Sequence, residues 1–307
     1  MDVYCFGHVS TGRLLRLKEA FPSADGYGEV VEDLENHSGE ATGTSLVLAR
    51  LGLDVRLEGN WIGDNEPCRR TLAFLASRGL DVSGLRVEPG YAGVQELVIA
   101  DGHSRTVFGR YCDLLFTTRQ WDLPTVDRVR GARVAVVDPS FGEATLRVAR
   151  AARELGIPLA ACDAGPDTEL ARSATILAIS NEFLRREFPG TEVEGDTREA
   201  LFQRYLQACP GLVVFTSGAG RLRFGRAGDE SGWIEPFRVE VVDSAGAGDS
   251  FRGGLVWGVL QGWDDRRTVR FAAAVAARIC TTTPGCLFPP SLQEIDHLLL
   301  AQGAWTE

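Results

Sequence analysis

Apolar positions along the chain keep two rhythms. From residue 132 onward, short unbroken apolar runs (RVAVVD, PLAACD, TILAIS, GLVVFT) alternate with stretches of helical spacing at 143–155 and 197–208, with a shorter helix after TILAIS. Uninterrupted runs of this length read as strands buried on both faces, and strands alternating with helices imply βαβ units around a parallel sheet. The end of the chain is helical at 250–260, 266–281 and 292–300, where Leu292, Ile295, Leu298 and Leu299 share one face. The first third is less regular. Residues 3–9 predict a buried strand, 42–52 a helix capped by Gly52, 55–62 a strand, and 66–78 a helix closed by Gly79. Residues 12–36 are polar and loosely alternating, which suits exposed strands. Two β-like runs, 94–100 and 106–108, flank the turn Asp101-Gly102 as a hairpin. The expectation is an α/β fold with a central, mostly parallel sheet flanked by helices. Segments 1–11, 37–90 and 112–307 make its main domain, and 12–36 and 91–111 add a small β-sheet.

Composition narrows the function classes. Hydrophobic residues make up 44% of the 307, enough for a sizeable core, and the net charge of -10 is spread along the chain. A nucleic-acid binder needs a concentrated basic face, which is missing. No apolar run approaches the ~18 residues of a membrane span, and MDVYCFGHVS has no signal-peptide pattern. The seven cysteines are odd in number and lack CxxC spacing, so free thiols in a reducing cytoplasm are expected. The four histidines form no ligand motif.

Chemistry concentrates at residues 239–258, VEVVDSAGAGDSFRGGLVWG. A strand at 239–242 is expected to run into the small-residue turn 244–248 and then into a helix beginning at Asp249. Small residues let a backbone approach a ligand closely, and a helix start adds unpaired N–H groups and a positive dipole end. Asp249 either caps this helix or acts on a ligand. Gly253 and Gly254 weaken the plain capping account, since each costs about 1 kcal/mol in helix propensity and so implies close packing.

The run Asp243-Ser244-Ala245-Gly246-Ala247-Gly248-Asp249-Ser250-Phe251-Arg252-Gly253-Gly254 resembles the C-terminal signature of the ribokinase-like (PfkB) carbohydrate kinases, D-[ST]-x-G-A-G-D-x-F-x-x-G. Residues 38–52 resemble the family's N-terminal signature, Ile62-Gly63-Asp64 its VGxD, Ser180-Asn181-Glu182 the start of its N-E-x-E motif, and 216–220 its T-x-G-x-x-G loop, one residue shorter. The resemblance implies ATP-dependent phosphorylation of a sugar hydroxyl. Asp249 would be the base, and the amides of Ala245, Gly246, Ala247 and Gly248 would stabilise the transferred phosphoryl group. Asn181 would lie near the phosphates and Mg²⁺. Thr216, Gly218 and Gly220 would line the nucleotide, and Ala273 and Ala276 the adenine. Asp243 and the Ala245 carbonyl would hold a potassium-like ion. The small sheet would be a lid over the sugar, and a homodimer would form through it. The stretch 105–110 (RTVFGR) is similar to fructosamine-type and ketose-type members.

Three positions depart from that family. Gly12 stands for an Asp that binds sugar hydroxyls, Gly43 for the signature's Asn (with Ser38 for its first Gly), and Leu184 for the second Glu of N-E-x-E. The substrate set to examine is Ser10, Gly12, Gly39, Glu40, Gly43, Asp138 and Asp249. Glu40 is either a substitute hydroxyl ligand or a surface residue. Asp138, at a strand's C-terminal end, is either a ligand contact or a turn cap. Two lost sugar contacts would make ribose a poor substrate and favour a bulkier or substituted ketose, and Gly12→Asp with Gly43→Asn would restore activity on simple sugars. Alternatives are a ribokinase-fold protein that binds nucleotide or sugar with weak or no turnover, and a nucleoside kinase.

Overall fold

Strand β1 (Val3–Gly7) shows how the core is divided. All five residues are buried, and alternate side chains enter opposite layers. Val3 and Cys5 join Val134, Val136, Leu46, Phe251 and Leu255 in one apolar cluster, while Tyr4 and Phe6 join Ala135, Val137, Val148 and Phe202 in another. The computed structural model describes residues 1–101, 104–111, 117–229 and 231–303. Gly102 of the expected hairpin turn, His103 and Cys112 lie outside the described residues.

After β1 come β2 (Ser10–Leu17), β3 (Val30–Ser38), β4 (Val55–Gly59) and the two-residue strands β5 (Ile62–Gly63) and β6 (Val87–Glu88). Then follow β7 (Gln95–Ala100), β8 (Arg105–Gly109), β9 (Val134–Val137), β10 (Leu159–Cys162) and β11 (Ile176–Ile179). The last three are β12 (Leu212–Phe215), β13 (Leu222–Gly225) and β14 (Gly232–Ile234). An eight-stranded sheet runs in the order β14-β13-β12-β11-β10-β9-β1-β4, parallel from β12 to β4 and closed by two antiparallel strands. One layer of helices holds Glu143–Leu155 and Asp196–Ala208; the other holds Glu40–Arg50, Ala247–Leu260 and Asp265–Ile279. Strands β1 and β9 to β12 end at the same edge, where open α/β sheets bind ligands.

The smaller sheet, β3-β2-β7-β8, is separate, as expected. Its first hairpin pairs from Ser10↔Ser38, two residues beyond each end of the predicted 12–36. Two other expectations need correcting. The run 55–62 is broken at Asn60 and Trp61 into β4 and β5. Residues 239–242 form no strand, because no neighbouring edge accepts them; instead Val242 and Asp243 donate their N–H groups to the Cys280 carbonyl at 2.7 and 3.2 Å. The described cysteines (Cys5, Cys68, Cys162, Cys209, Cys280 and Cys286) are all free. No described helix is long and apolar enough to cross a membrane.

Candidate active site

The small-residue turn is shaped by Gly246, whose φ of 75° is left-handed and whose added Cβ would stand 2.4 Å from Cys286 Cβ. Gly246 caps the helix Ala247–Leu260, so the helix starts two residues before the predicted Asp249, and Asp249 is its third residue. Only part of the predicted anion hole has amides to offer. Ala245 N–H donates to Asp243 Oδ1 at 2.8 Å and Ala247 N–H to the Ser244 carbonyl at 3.3 Å. Gly246 and Gly248 have no such acceptor among the described residues, and a Cβ at Gly248 would meet nothing within 4 Å. The turn therefore offers an open cradle at the positive end of a 14-residue helix. Asp243 is buried and clips the turn, its second oxygen accepting from Thr283 Oγ1 at 3.1 Å. Gly253 and Gly254 do pack closely, against Val47 and Ala272.

The Asp249 carboxylate accepts no hydrogen bond from any described residue. Burial pushes its acid up to about 7, opposed chiefly by the Arg252 guanidinium. Gly43 lies against it: a Cβ there would stand 2.9 Å from Asp249 Cβ. Thr44 Oγ1 approaches the Asp249 carbonyl at 3.0 Å, tying the helix Glu40–Arg50 to this turn.

Behind Asp249 lies a buried pair that the sequence reading did not anticipate. Arg252 and Asp138 are each 1% exposed and meet at 2.8 Å. Arg252 also reaches Thr44 Oγ1, the Val137 carbonyl and Cys162 Sγ at 3.0, 3.1 and 3.0 Å. The other oxygen of Asp138 accepts from the N–H groups of His8 and Ala41 at 2.8 and 2.9 Å. Asp138 thus sits at the expected sheet edge, yet both oxygens are engaged within the protein. Its side chain does not cap the following turn, contrary to one of the two expectations. The only signal in the sequence was spacing: Arg252 follows Asp249 by three, on the same helix face. Among the described residues the Glu40 carboxylate has one side-chain hydrogen-bond partner, Cys162 Sγ at 3.8 Å, and burial, then Asp138 and Asp249, lift its acid to about 8. Glu40, Asp138 and Cys162 offer atoms within 4.8 Å of one another, but Arg252 already neutralises that corner.

The inner face of the small sheet closes the other side. Glu96 on β7 accepts from Asn36 Nδ2 and Tyr111 Oη at 2.8 Å each and from Ser38 Oγ, which shares a 2.7 Å bond with Ser10 Oγ. Tyr111 packs edge-on against His8, with ring centroids 5.0 Å apart, and His8 Nε2 is buried without a hydrogen-bond partner among the described residues. Arg105, also unanticipated in a site role, extends from β8 to the Ser244 carbonyl at 2.8 Å and so joins the sheet to the turn. Gly12 is not a vacated ligand position. A Cβ there would stand 1.8 Å from the Glu96 carbonyl oxygen, so the close contact of β2 with β7 excludes a side chain. Gly39, at φ 129°, caps the helix that carries Glu40 and lies against the His8 carbonyl.

On the far side of Asp249, Ser180 caps the helix Asn181–Glu187, which begins at Asn181. Buried Arg198 gathers this region: it donates to Asn181 Oδ1 at 2.9 Å, to the carbonyls of Thr191 and Thr216, and to Ser217 Oγ. Gly218 (φ 58°) and Gly220 are exposed just beyond Thr216, while Ala273 and Ala276 lie on the helix Asp265–Ile279. Leu184 is fully buried in the core, so no side chain at that position reaches the site. Asp163 holds Ser180 N–H and Oγ at 2.7 and 2.8 Å.

Among curated proteins, the chain is 27% identical over 291 residues to a nucleoside kinase from Methanothermobacter thermautotrophicus, covering 91% of this chain and 89% of that one. It is 25% identical over 278 residues to an ATP-dependent ribose-1-phosphate kinase from Halopiger xanaduensis (88% and 89% covered) and 27% identical over 295 residues to fructokinase-1 from Oryza sativa subsp. japonica (87% and 88%). Arabidopsis thaliana ribokinase, solved with ribose and ATP, superposes with a TM-score of 0.80 over 97% of this chain and 98% of that one at 17% identity, a likeness of fold. A family model described as pfkB family carbohydrate kinase matches residues 2–291, and the chain belongs to that family.

Proposed function

We propose that this kinase transfers the γ-phosphoryl group of ATP to a hydroxyl of a sugar or sugar derivative, with a ketose or substituted ketose favoured, and that Asp249 is the base. One observation carries this reading: a carboxylate with no hydrogen-bond partner among the described residues stands beside an open, amide-lined cradle, its acid raised to about 7. A base that ionises near working pH accepts a proton most effectively. Asp249 takes the proton of the attacking hydroxyl. The amides of Gly246 and Gly248 and the Arg105 guanidinium face the charge on the transferred group. Thr216, Gly218, Gly220, Ala273 and Ala276 hold the nucleotide, with Asn181 oriented by Arg198. Mg²⁺ usually takes only one or two protein oxygens and the substrate phosphates. Asn181 would lie near that ion, which would neutralise phosphate charge, and Asp163, with both oxygens held by Ser180, fixes the start of the helix that carries Asn181. A potassium-like ion at Asp243 and Ala245, closure of the small sheet as a lid, a homodimer through that sheet and a cytoplasmic setting belong to the same reading. The free cysteines support the last, and the Arg105 bond to Ser244 supports the lid.

The test is ATP consumption across a panel of ketoses, aldoses and nucleosides. Asp249→Asn should lower turnover by about 10²-fold or more while ATP still binds. A variant that keeps more than about a tenth of wild-type turnover removes the base assignment. The likeness to a nucleoside kinase favours a second reading, which the nucleoside arm of the panel decides. Binding without turnover on every arm would support the non-catalytic alternative.

A further inference from the structure

Resting on that reading, we infer that the pocket between Asp249 and the small sheet admits neutral or cationic polyhydroxy substrates and rejects those bearing phosphate or carboxylate, and that Glu40 and Glu96 enforce the rejection. Family membership leaves this open, because a ribose-1-phosphate kinase stands among the relatives.

Three carboxyls face one space. Glu96 accepts from Tyr111 Oη at 2.8 Å, and Glu40 precedes Gly43 by three on one helix, where Gly43 lies against Asp249. Ser38, which holds Glu96, lies two residues before Glu40. Asp249 completes the set, and Arg105 is close enough to both Glu96 and Asp249 to lower their acids. Burial raises the acids of all three, Asp249 to about 7 and Glu40 to about 8, so this space already disfavours negative charge, and its like-charge rejection strengthens as the pH rises through that range.

Cations are scarce there. Arg252 is matched by Asp138 and fully buried. Arg105 donates to the Ser244 carbonyl at the phosphoryl side. Strand alternation puts Arg105 and Gly109 on the face shared with Glu96, and Thr106, Phe108 and Arg110 on the other. Arg13, on that other face, is bonded to Asp33. An acidic substituent would therefore enter among carboxylates with no spare described cation to receive it. The acceptors left open, Glu40, Asp249 and His8 Nε2, suit hydroxyl or ammonium donors instead. Ionised carboxylates held close to an anionic substituent reject it.

The test compares fructose, 1-amino-1-deoxyfructose, ribose, ribose 1-phosphate and gluconate. Turnover is read with ATP, and binding is read by calorimetry with a non-hydrolysable ATP analogue on both the wild type and Asp249→Asn. The expected wild-type preference for uncharged or amine-bearing sugars over ribose 1-phosphate is about 100-fold or more. Glu40→Gln and Glu96→Gln should each narrow that ratio about tenfold, chiefly by improving the anionic sugars. Comparable use or binding of ribose 1-phosphate and ribose by the wild type overturns the inference, as does an unchanged ratio in both folded variants. If no sugar is turned over, the kinase reading fails, while the binding ratios still decide the charge selection.

Discussion

Replacing Arg252 by methionine should damage the protein in two measurable ways. The guanidinium is 1% exposed and makes four contacts, and its loss leaves one Asp138 oxygen buried without a donor. Breaking a buried ion pair from one side costs about 3–5 kcal/mol. Spread over the unfolding entropy of a chain this long, that lowers the melting temperature by roughly 5–8 °C. The second effect is on Asp249, the proposed base. Arg252 is the charge that chiefly opposes the burial of Asp249. Without it, the Asp249 acid rises above about 7, and since the base must be ionised, the low-pH limb of kcat/KM moves to higher pH. A charge within several ångströms, at an effective dielectric constant of about 20, is worth roughly 1–3 kcal/mol, so the limb should move by about one pH unit or more. Differential scanning calorimetry and a pH–rate profile from pH 5.5 to 9 measure the two effects separately. Arg252→Lys should keep the limb near its wild-type place while losing part of the stability. In the double variant Asp138→Asn with Arg252→Met, opposite charges leave together, so both the limb and the melting temperature should return toward wild type. An Arg252→Met protein that melts within about 1 °C of wild type would refute the stability argument, and an unmoved limb would refute the electrostatic one.

Three further outcomes follow from the same geometry. Gly248→Val, whose Cβ enters open space, should weaken ATP binding tenfold or more (~1.4 kcal/mol) with little loss of stability, whereas Gly246→Val, forced against Cys286, should unfold the turn; equal ATP affinity in a folded Gly248→Val protein would remove the cradle from phosphate binding. Gly12→Asp with Gly43→Asn should lower activity on all sugars, reversing the gain expected from sequence, because one Cβ strikes the Glu96 carbonyl and the other Asp249; a rise in ribose turnover would contradict this. Arg198→Met should raise the KM for ATP roughly tenfold (~1.4 kcal/mol) with a smaller change in the KM for sugar, read by steady-state kinetics, since Arg198 joins Asn181 to Ser217; a change confined to the sugar would refute that role.

Much of the molecule was legible without coordinates, because its signals are local. Unbroken runs such as VAVV and LVVF can only be strands covered on both faces, and the alternation of Val3 and Cys5 with Tyr4 and Phe6 requires a layer of helices on each side. The string 243–254 announced a glycine-rich turn entering a helix, and such a turn offers amides wherever it occurs. The helix start was misplaced by two residues because its cap is a left-handed glycine that carries no capping side chain. Residues 239–242 have a strand's composition, but a strand also needs an edge to pair with, and that is not written in its own residues. The remaining features are decided between residues far apart in the chain. Asp138 gains its partner from Arg252, 114 positions away. Gly43 is small because Asp249 occupies the adjoining space, and Gly12 because β7 passes beside it. Arg105 reaches the turn from another sheet, 139 positions before Ser244. Hydrophobic period and turn chemistry act within a few residues and so can be read along a line. Charge pairing, steric exclusion and the desolvation that raises Asp249 depend on distances in space, and these exist only once the chain has folded.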